Sequence, residues 1–267
     1  MSGPTPRHDS VSFDRAADYY DATRITDPVA LERSIDLLEG ELAGRGTILE
    51  TGVGTGAIAL PLHERGISLA GADLSEPMLR RLIVKAGDAP PFPLVQADAT
   101  RLPFGDDAFG GAYLRWVLHL IPGWRDAVSE LVRVVVPGGH VVIEPGGYQG
   151  GWRDLWLRFV EELGPDAEAV GLNMRHGATD LDAALLAHGA RLADTPLITG
   201  PDHSSIERWF DEVRRRLYSW TWRVPDDRLQ SAIEVVQPWA KERFGALHGP
   251  PEPEHRLAWR VYELEAR

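Results

Sequence analysis

Between residues 47 and 144, short apolar runs alternate with segments whose apolar residues recur every three or four positions. Residues 47–51, 68–72, 93–96, 110–115 and 140–144 are too brief for helices and rich in β-branched or small apolar residues, which predicts buried strands. The intervening segments at about 57–65, 76–86 and 123–134 have helical spacing. Upstream, residues 13–24 have short helical character, and Asp27-Pro28 offers an N-cap and a first-turn proline for a helix running through Leu31, Ile35 and Leu38. Residues 1–10 read as a disordered leader. Downstream, 152–163, 181–188, 205–220 and 226–244 read as helices, and 191–198 and 255–264 as strands. The proline-rich stretch 247–254 reads as an exposed loop.

Strand–helix alternation predicts an α/β chain: a Rossmann-like, seven-stranded, mostly parallel sheet with right-handed crossovers and helices on both faces. Three parts are expected of one structural domain. Residues 1–45 form an N-terminal helical segment, 46–150 the ligand-binding core, and 151–267 the rest of the sheet with a helical cap inserted before the last strand.

One stretch changes the picture from fold to chemistry. Residues 47–56 read T-I-L-E-T-G-V-G-T-G, a buried strand passing into glycines at positions 52, 54 and 56 and then a helix. Glycine reaches positive φ and has no Cβ, so such a turn lets a ligand approach bare backbone at the carboxyl edge of the sheet. Further on, Asp73 ends the second strand and Asp98 follows the third. The first is placed to accept from both hydroxyls of a ribose, or else to cap the next helix beside Ser75. Asp98 is placed to accept from an exocyclic amine such as that of adenine, or else is a turn aspartate. Taken in order, the three features describe a nucleoside-bearing ligand laid across three strand ends.

Composition narrows the alternatives. The net charge of −12 argues against non-specific nucleic-acid binding. There is no cysteine, hence no disulfide or thiolate site, and no stretch is apolar for long enough to span a membrane, which fits a cytoplasmic protein. His188, His203, His248 and His255 lack metal-ligand spacing, and no metal is expected. Basic charge is almost all arginine, the lysines being Lys85 and Lys241, which is read as a compositional bias.

On these residues the chain resembles the core of the class I S-adenosylmethionine-dependent methyltransferases, in the branch of the ubiquinone and menaquinone methyltransferases. Glu50-Thr-Gly52-Val-Gly54-Thr-Gly56 resembles the family's acidic G-x-G-x-G motif, Asp73 its ribose-binding acid, and Asp98-Ala99 its adenine-contacting pair. Residues 102–109, L-P-F-G-D-D-A-F, and 130–139, E-L-V-R-V-V-V-P-G-G, are similar to two further family segments. Residues 14–21 resemble the N-terminal helix that often closes over the cofactor. Gly110-Gly111 departs from the aspartate the family often carries before its fourth strand.

The resemblance implies transfer of the sulfonium methyl group to a small-molecule acceptor through oxygen, nitrogen or carbon, with S-adenosylhomocysteine as product. It implies cofactor contacts from Glu50, Gly52, Gly54, Gly56, Asp73, Leu74, Met78, Asp98, Ala99, Arg115 and Tyr20. Tyr19, Arg24, Trp116, Trp152 and Trp220 are candidates for the acceptor pocket, and His119 is the candidate general base, with Glu144 second. Each of these aromatic residues also reads as ordinary packing, and the histidine as a turn hydrogen-bonder. Two competing functions are weighed: a non-catalytic cofactor-binding sensor or partner subunit, and an NAD(P) oxidoreductase. The second fits poorly, because its G-x-G-x-x-G fingerprint places the third glycine one position later. A monomer or homodimer is expected.

Overall fold

The computed structural model describes residues 10–24, 27–164 and 178–265, without the side chain of Arg24. Apart from Ser10, the expected leader lies outside the described residues. Strands β1 (Ile48–Thr51), β2 (Leu69–Asp73), β3 (Leu94–Gln96), β4 (Phe109–Arg115), β5 (Val135–Glu144), β6 (Ala190–Asp194) and β9 (Arg260–Leu264) form one sheet. Its order is β3-β2-β1-β4-β5-β9-β6. Strands β1 to β5 pair in parallel, and β9 lies antiparallel between β5 and β6. The seven-stranded, mostly parallel sheet is the one the alternation predicted.

Local chemistry sets the helices around it. Helix α1 is Tyr20–Arg24, and α2 is Pro28–Leu42 with Asp27 as N-cap, its carboxylate accepting from Ala30 N at 2.9 Å. Helix α3 is Ala59–Glu64, and α4 is Glu76–Lys85, capped by the Ser75 hydroxyl at 3.3 Å from Met78 N. Helix α5 is Trp124–Val134, burying Trp124, Val128 and Leu131. β1 is buried at every position, as expected of a strand flanked on both sides within a parallel sheet.

Four expected elements differ. β5 begins at Val135, not His140. Gly138, at φ 75°, and a register shift opposite Phe109–Gly111 let the strand absorb the Pro-Gly-Gly turn. The expected strand 191–198 is two strands, β6 and β7 (Leu197–Pro201), broken before Pro196, which has no N–H to offer a ladder. The expected strand 255–264 is likewise β8 (Glu254–Ala258), paired with β7, and β9, divided at the fully buried Trp259. The helix expected over 205–220 stops at Arg214, because Arg216 turns left-handed at φ 55°; a single 3₁₀ turn, Ser219–Thr221, follows.

The described residues cluster into two compact units. The first holds the sheet with residues 10–24, 27–146, 178–198 and 258–265, including α7 (Ala178–Ala187). The second holds residues 147–164 and 199–257, with α6 (Gly150–Leu163), α8 (Ile206–Arg214) and α9 (Asp226–Phe244). Its core is aromatic: Trp209 lies within 6.4 Å of the rings of Tyr148, Phe159, Phe210, Tyr218 and Trp220.

Candidate functional site

The glycine turn has the geometry its sequence requires. Gly52, Gly54 and Gly56 have φ of 77°, 54° and 77°, a region L side chains rarely enter. A Cβ at Gly52 would fall inside the side chain of Val117 on the loop after β4, so bare backbone is needed there for packing as well as for conformation. A Cβ at Gly56 would stand 2.8 Å from Leu82 Cγ, so that glycine serves the packing of the turn against α4.

Asp73 ties the turn to the next strand. Its Oδ2 accepts from Gly54 N and its Oδ1 from Ser75 N, both at 2.8 Å. Each oxygen keeps a further lone pair for a ligand hydroxyl. Burial raises the carboxyl's pKa, and the backbone donors at Ser75 and Gly54 oppose that. Asp98 accepts the amide and hydroxyl of Thr100 on Oδ1, both at 2.9 Å, and Ser10 Oγ on Oδ2 at 3.4 Å.

These groups border one cleft, wholly within the first unit. Its walls include Gly52, Gly54, Asp73, Leu74, Met78, Asp98, Ala99, Arg115, Trp116 and Tyr20, which brings together most of the residues read from the sequence. The N-terminal segment supplies another wall: Phe13 and Tyr20 meet edge to face, with ring centroids 5.8 Å apart, and Val11 N donates to Leu120 O at 3.1 Å. Asp21 of α1 accepts from Thr55 Oγ1 in the glycine turn and pairs with Lys85 Nζ at 2.9 Å. Thr51, Val117 and Ile121 also line the cleft and were not foreseen; Thr51 was legible only as the last residue of β1.

Other expected residues fall elsewhere. Glu50 is buried, and its Oε2 accepts the Tyr113 hydroxyl at 2.7 Å. Burial pushes its pKa up to about 8, the Asp73 charge adds to this, and Tyr113 and Arg115 oppose it. His119 sits in the 3₁₀ turn Leu118–Leu120; with Trp116 it flanks Gly146, whose Cβ would be 3.5 Å from His119 Nδ1. It is not among the residues bordering the cleft. Trp152 and Trp220 belong to the second unit. There the Trp152 indole donates to Asp202 at 2.7 Å, and Trp220 stacks on Tyr218 with 6.2 Å between centroids. The Tyr19 hydroxyl is buried with no hydrogen-bond partner among the described residues, and the side chain of Arg24 lies outside them.

Trp116, just past β4, holds φ at 60°, strained for an aromatic residue. Its ring lies 3.8 Å from the Arg115 guanidinium carbon. Arg115 Nε and Thr51 Oγ1 are buried donors bordering this end of the cleft with no hydrogen-bond partner among the described residues. A second, shallow depression lined by His63, Ile67 and Phe92 lies at the amino ends of β2 and β3 and gathers no comparable set of polar groups. Among the described residues no cluster of three or more acids and histidines could hold a metal ion, and no helix is long and apolar enough to cross a membrane.

Residues 49–143 match the family model described as "Methyltransferase domain". The chain is 38% identical over 101 residues to a phosphatidylethanolamine N-methyltransferase of Cereibacter sphaeroides, covering 37% of this chain and 49% of that one. It is 35% identical over 150 residues to a demethylmenaquinone methyltransferase of Clavibacter sepedonicus, covering 52% of this chain and 58% of the relative. The chain thus spans about half the length of these relatives. Among solved structures it resembles an S-adenosylmethionine-dependent methyltransferase of Thermotoga maritima, with a TM-score of 0.55 at 14% identity, covering 94% of this chain and 96% of that one. Residues 49–143 are thus similar in sequence to a methyltransferase domain, and the fold around them is shared with that solved structure.

Proposed function

We propose that this protein transfers a methyl group from S-adenosylmethionine to a small-molecule acceptor. The observation that carries this reading is the cleft. It sets glycine backbone, the Asp73 carboxylate and the Asp98 turn side by side across the ends of β1, β2 and β3, with Thr51 Oγ1 and Arg115 Nε, which have no hydrogen-bond partner among the described residues, at one end. A nucleoside with a zwitterionic tail fits that donor set. Asp73 accepts the ribose hydroxyls on its free lone pairs, Asp98 and Ala99 receive the adenine, and Leu74 and Met78 flank its rings. Thr51 Oγ1 and Arg115 Nε receive the carboxylate of the tail.

The cofactor supplies an electrophilic methyl on a cationic sulfur. The residues of this chain bind and orient it, and Phe13 and Tyr20 of the N-terminal segment help to exclude water from the cleft. A small acceptor is supported by the two relatives, named for phosphatidylethanolamine and for demethylmenaquinone, and nucleic acid is disfavoured by the net charge of −12. We place the protein in the cytoplasm as a monomer or homodimer, working without a metal.

Calorimetry with S-adenosylmethionine tests the site. Wild-type protein is expected to bind, and Asp73→Ala to lose roughly tenfold to several hundredfold in affinity, the range for one or two hydrogen bonds to a charged acceptor. No binding by a folded wild type, or binding of NAD(P) in its place, overturns the reading. Release of S-adenosylhomocysteine in an acceptor screen separates an enzyme from a binding subunit.

A further inference from the structure

The carboxyl edge of the sheet carries an unbalanced set of buried charges on one face. Register pairs Glu50 with Tyr113 across β1 and β4, and Arg115 with Glu144 across β4 and β5. Residues two apart in a strand share a face, so Glu50, Tyr113, Arg115 and Glu144 stand together. Glu50 and Glu144 are 5% and 3% exposed, and the Arg115 guanidinium acts on both. Arg115 Nε lies 3.9 Å from Glu144 Oε2, beyond hydrogen-bond length, and neither atom has a hydrogen-bond partner among the described residues. Tyr113 donates to Glu50, and burial raises its own pKa far enough to keep it a neutral phenol.

The neighbouring groups do not restore the balance. Asp73 on β2 adds negative charge near Glu50. Tyr20 of α1 faces Arg115, and His119 and Trp116 flank Gly146, whose N–H donates to Glu144 Oε1 at 3.1 Å. Across β5, Arg260 and Tyr262 of β9 pair with Ile143 and Val141, on the opposite face, and bind Asp182 of α7 there. His140, four residues back along β5, is engaged by Arg45 and by Glu41 of α2.

Two buried carboxylates therefore share one guanidinium. A buried acid without its own counter-charge neutralises by keeping a proton. At neutral pH the cofactor has one net positive charge, from ammonium, sulfonium and carboxylate; the demethylated product has none. We propose that the Glu50–Arg115–Glu144 cluster holds an extra proton which the cofactor's net charge displaces, so that Glu144 helps set the preference for the sulfonium cofactor over its neutral-sulfur product. The inference rests on the cofactor reading above. Burial pushes the Glu144 pKa to about 7 and that of Glu50 to about 8, so both carboxyls change charge close to neutrality.

The sign follows from linkage. The bound state holds fewer protons than the free state, so affinity for S-adenosylmethionine rises with pH up to the cluster's pKa range and levels off above it. The rise approaches about tenfold per pH unit for one proton released. Affinity for S-adenosylhomocysteine stays flat.

Calorimetry in phosphate and in Tris, whose ionisation heats differ, counts the protons released by S-adenosylmethionine, by S-adenosylhomocysteine and by sinefungin, an amine analogue that keeps the positive charge. Wild type is expected to release close to one more proton with each cationic ligand than with the product. In Glu144→Gln one acid then faces one base, and that difference and the pH dependence of the affinity ratio are expected to vanish. Equal proton release by all three ligands in the wild type, which needs no variant to fold, overturns the inference and leaves the functional reading intact. So does a difference that survives in Glu144→Gln. Absence of any cofactor binding overturns both.

Discussion

The two units bury polar groups in opposite ways. In the second, nearly every buried polar atom is matched inside its own unit. Glu212 receives Arg208 and the Tyr218 hydroxyl, Thr221 donates to the Tyr218 carbonyl, and the indoles of Trp152, Trp209 and Trp222 each donate to a partner. In the first, Thr51, Arg115 and Glu144 are buried with atoms left open, all near the carboxyl ends of β1, β4 and β5. An unmatched buried polar atom costs about 1–3 kcal/mol. Several gathered at one strand edge mark a surface shaped for a ligand, whereas matched groups around a tryptophan mark a scaffold. Trp220 departs from this pattern: its indole nitrogen is buried and unmatched among the described residues.

If that contrast holds, substitutions in the second core act on stability, and substitutions at the strand edge act on binding. The largest expected effect is Trp209→Ala. Trp209 is 3% exposed and touches five other aromatic rings, so truncation is expected to cost about 3–5 kcal/mol and to lower the melting midpoint by about 10 °C. A loss under 1 kcal/mol by denaturant titration would break the comparison, since the ring would then not be core. Next is Glu50→Gln, which sharpens the electrostatic side. Glu50 has its pKa raised from 4.5 to about 8, so the folded state holds a proton that the unfolded state has given up. Its contribution to stability therefore falls as pH climbs through that window and is flat above it. The glutamine variant is expected to match wild type near pH 4.5 and to exceed it by up to a few kcal/mol near pH 8 in cofactor-free melts. A gain of the same size at both pH values would deny that burial governs this carboxyl.

Gly52→Ala comes third. The methyl group meets Val117 and the residue must hold φ 77°, so a loss of about 1–3 kcal/mol is expected, together with weaker cofactor binding. Binding lost with stability unchanged would mean that the alanine fits the turn and blocks only the ligand.

How much of this the sequence showed depends on how local each signal is. The glycine turn, Asp73 and Asp98 were legible because their chemistry is written in one strand and the residues beside it, and the cleft gathers them with Leu74, Met78, Ala99, Arg115 and Tyr20. The early start of β5 was hidden because Pro137-Gly138-Gly139 reads as a turn, and only pairing with β4 extends the strand through it. The breaks at Pro196 and Trp259 were hidden for a related reason: each half of the apolar run joins a different sheet, which no local pattern states. The Glu50–Arg115–Glu144 cluster depends on register between strands far apart in sequence, so Glu144 could be read as a strand end and a second candidate base, but not as a neighbour of Arg115.

The smallest expected effect separates the N-terminal wall of the cleft from its floor. Asp21 accepts from Thr55 Oγ1 in the glycine turn while pairing with Lys85, whose side chain is 31% exposed. Thr55 is 1% exposed, so its hydroxyl has no recourse to water if the acceptor is removed. Asp21→Asn keeps an oxygen for Thr55 and loses only the ion pair, which solvent already screens; the expected cost is at most about 1 kcal/mol, fading in high salt. Asp21→Ala strands the Thr55 hydroxyl as well, and about 1–3 kcal/mol more is expected, with cofactor affinity falling alongside because the turn that Thr55 steadies borders the cleft. Melting midpoints and cofactor titrations of both variants, at low and high salt, resolve the two contributions. If asparagine and alanine behave alike and both effects vanish in salt, the N-terminal segment is held by charge alone, and the Thr55 contact contributes nothing to the glycine turn.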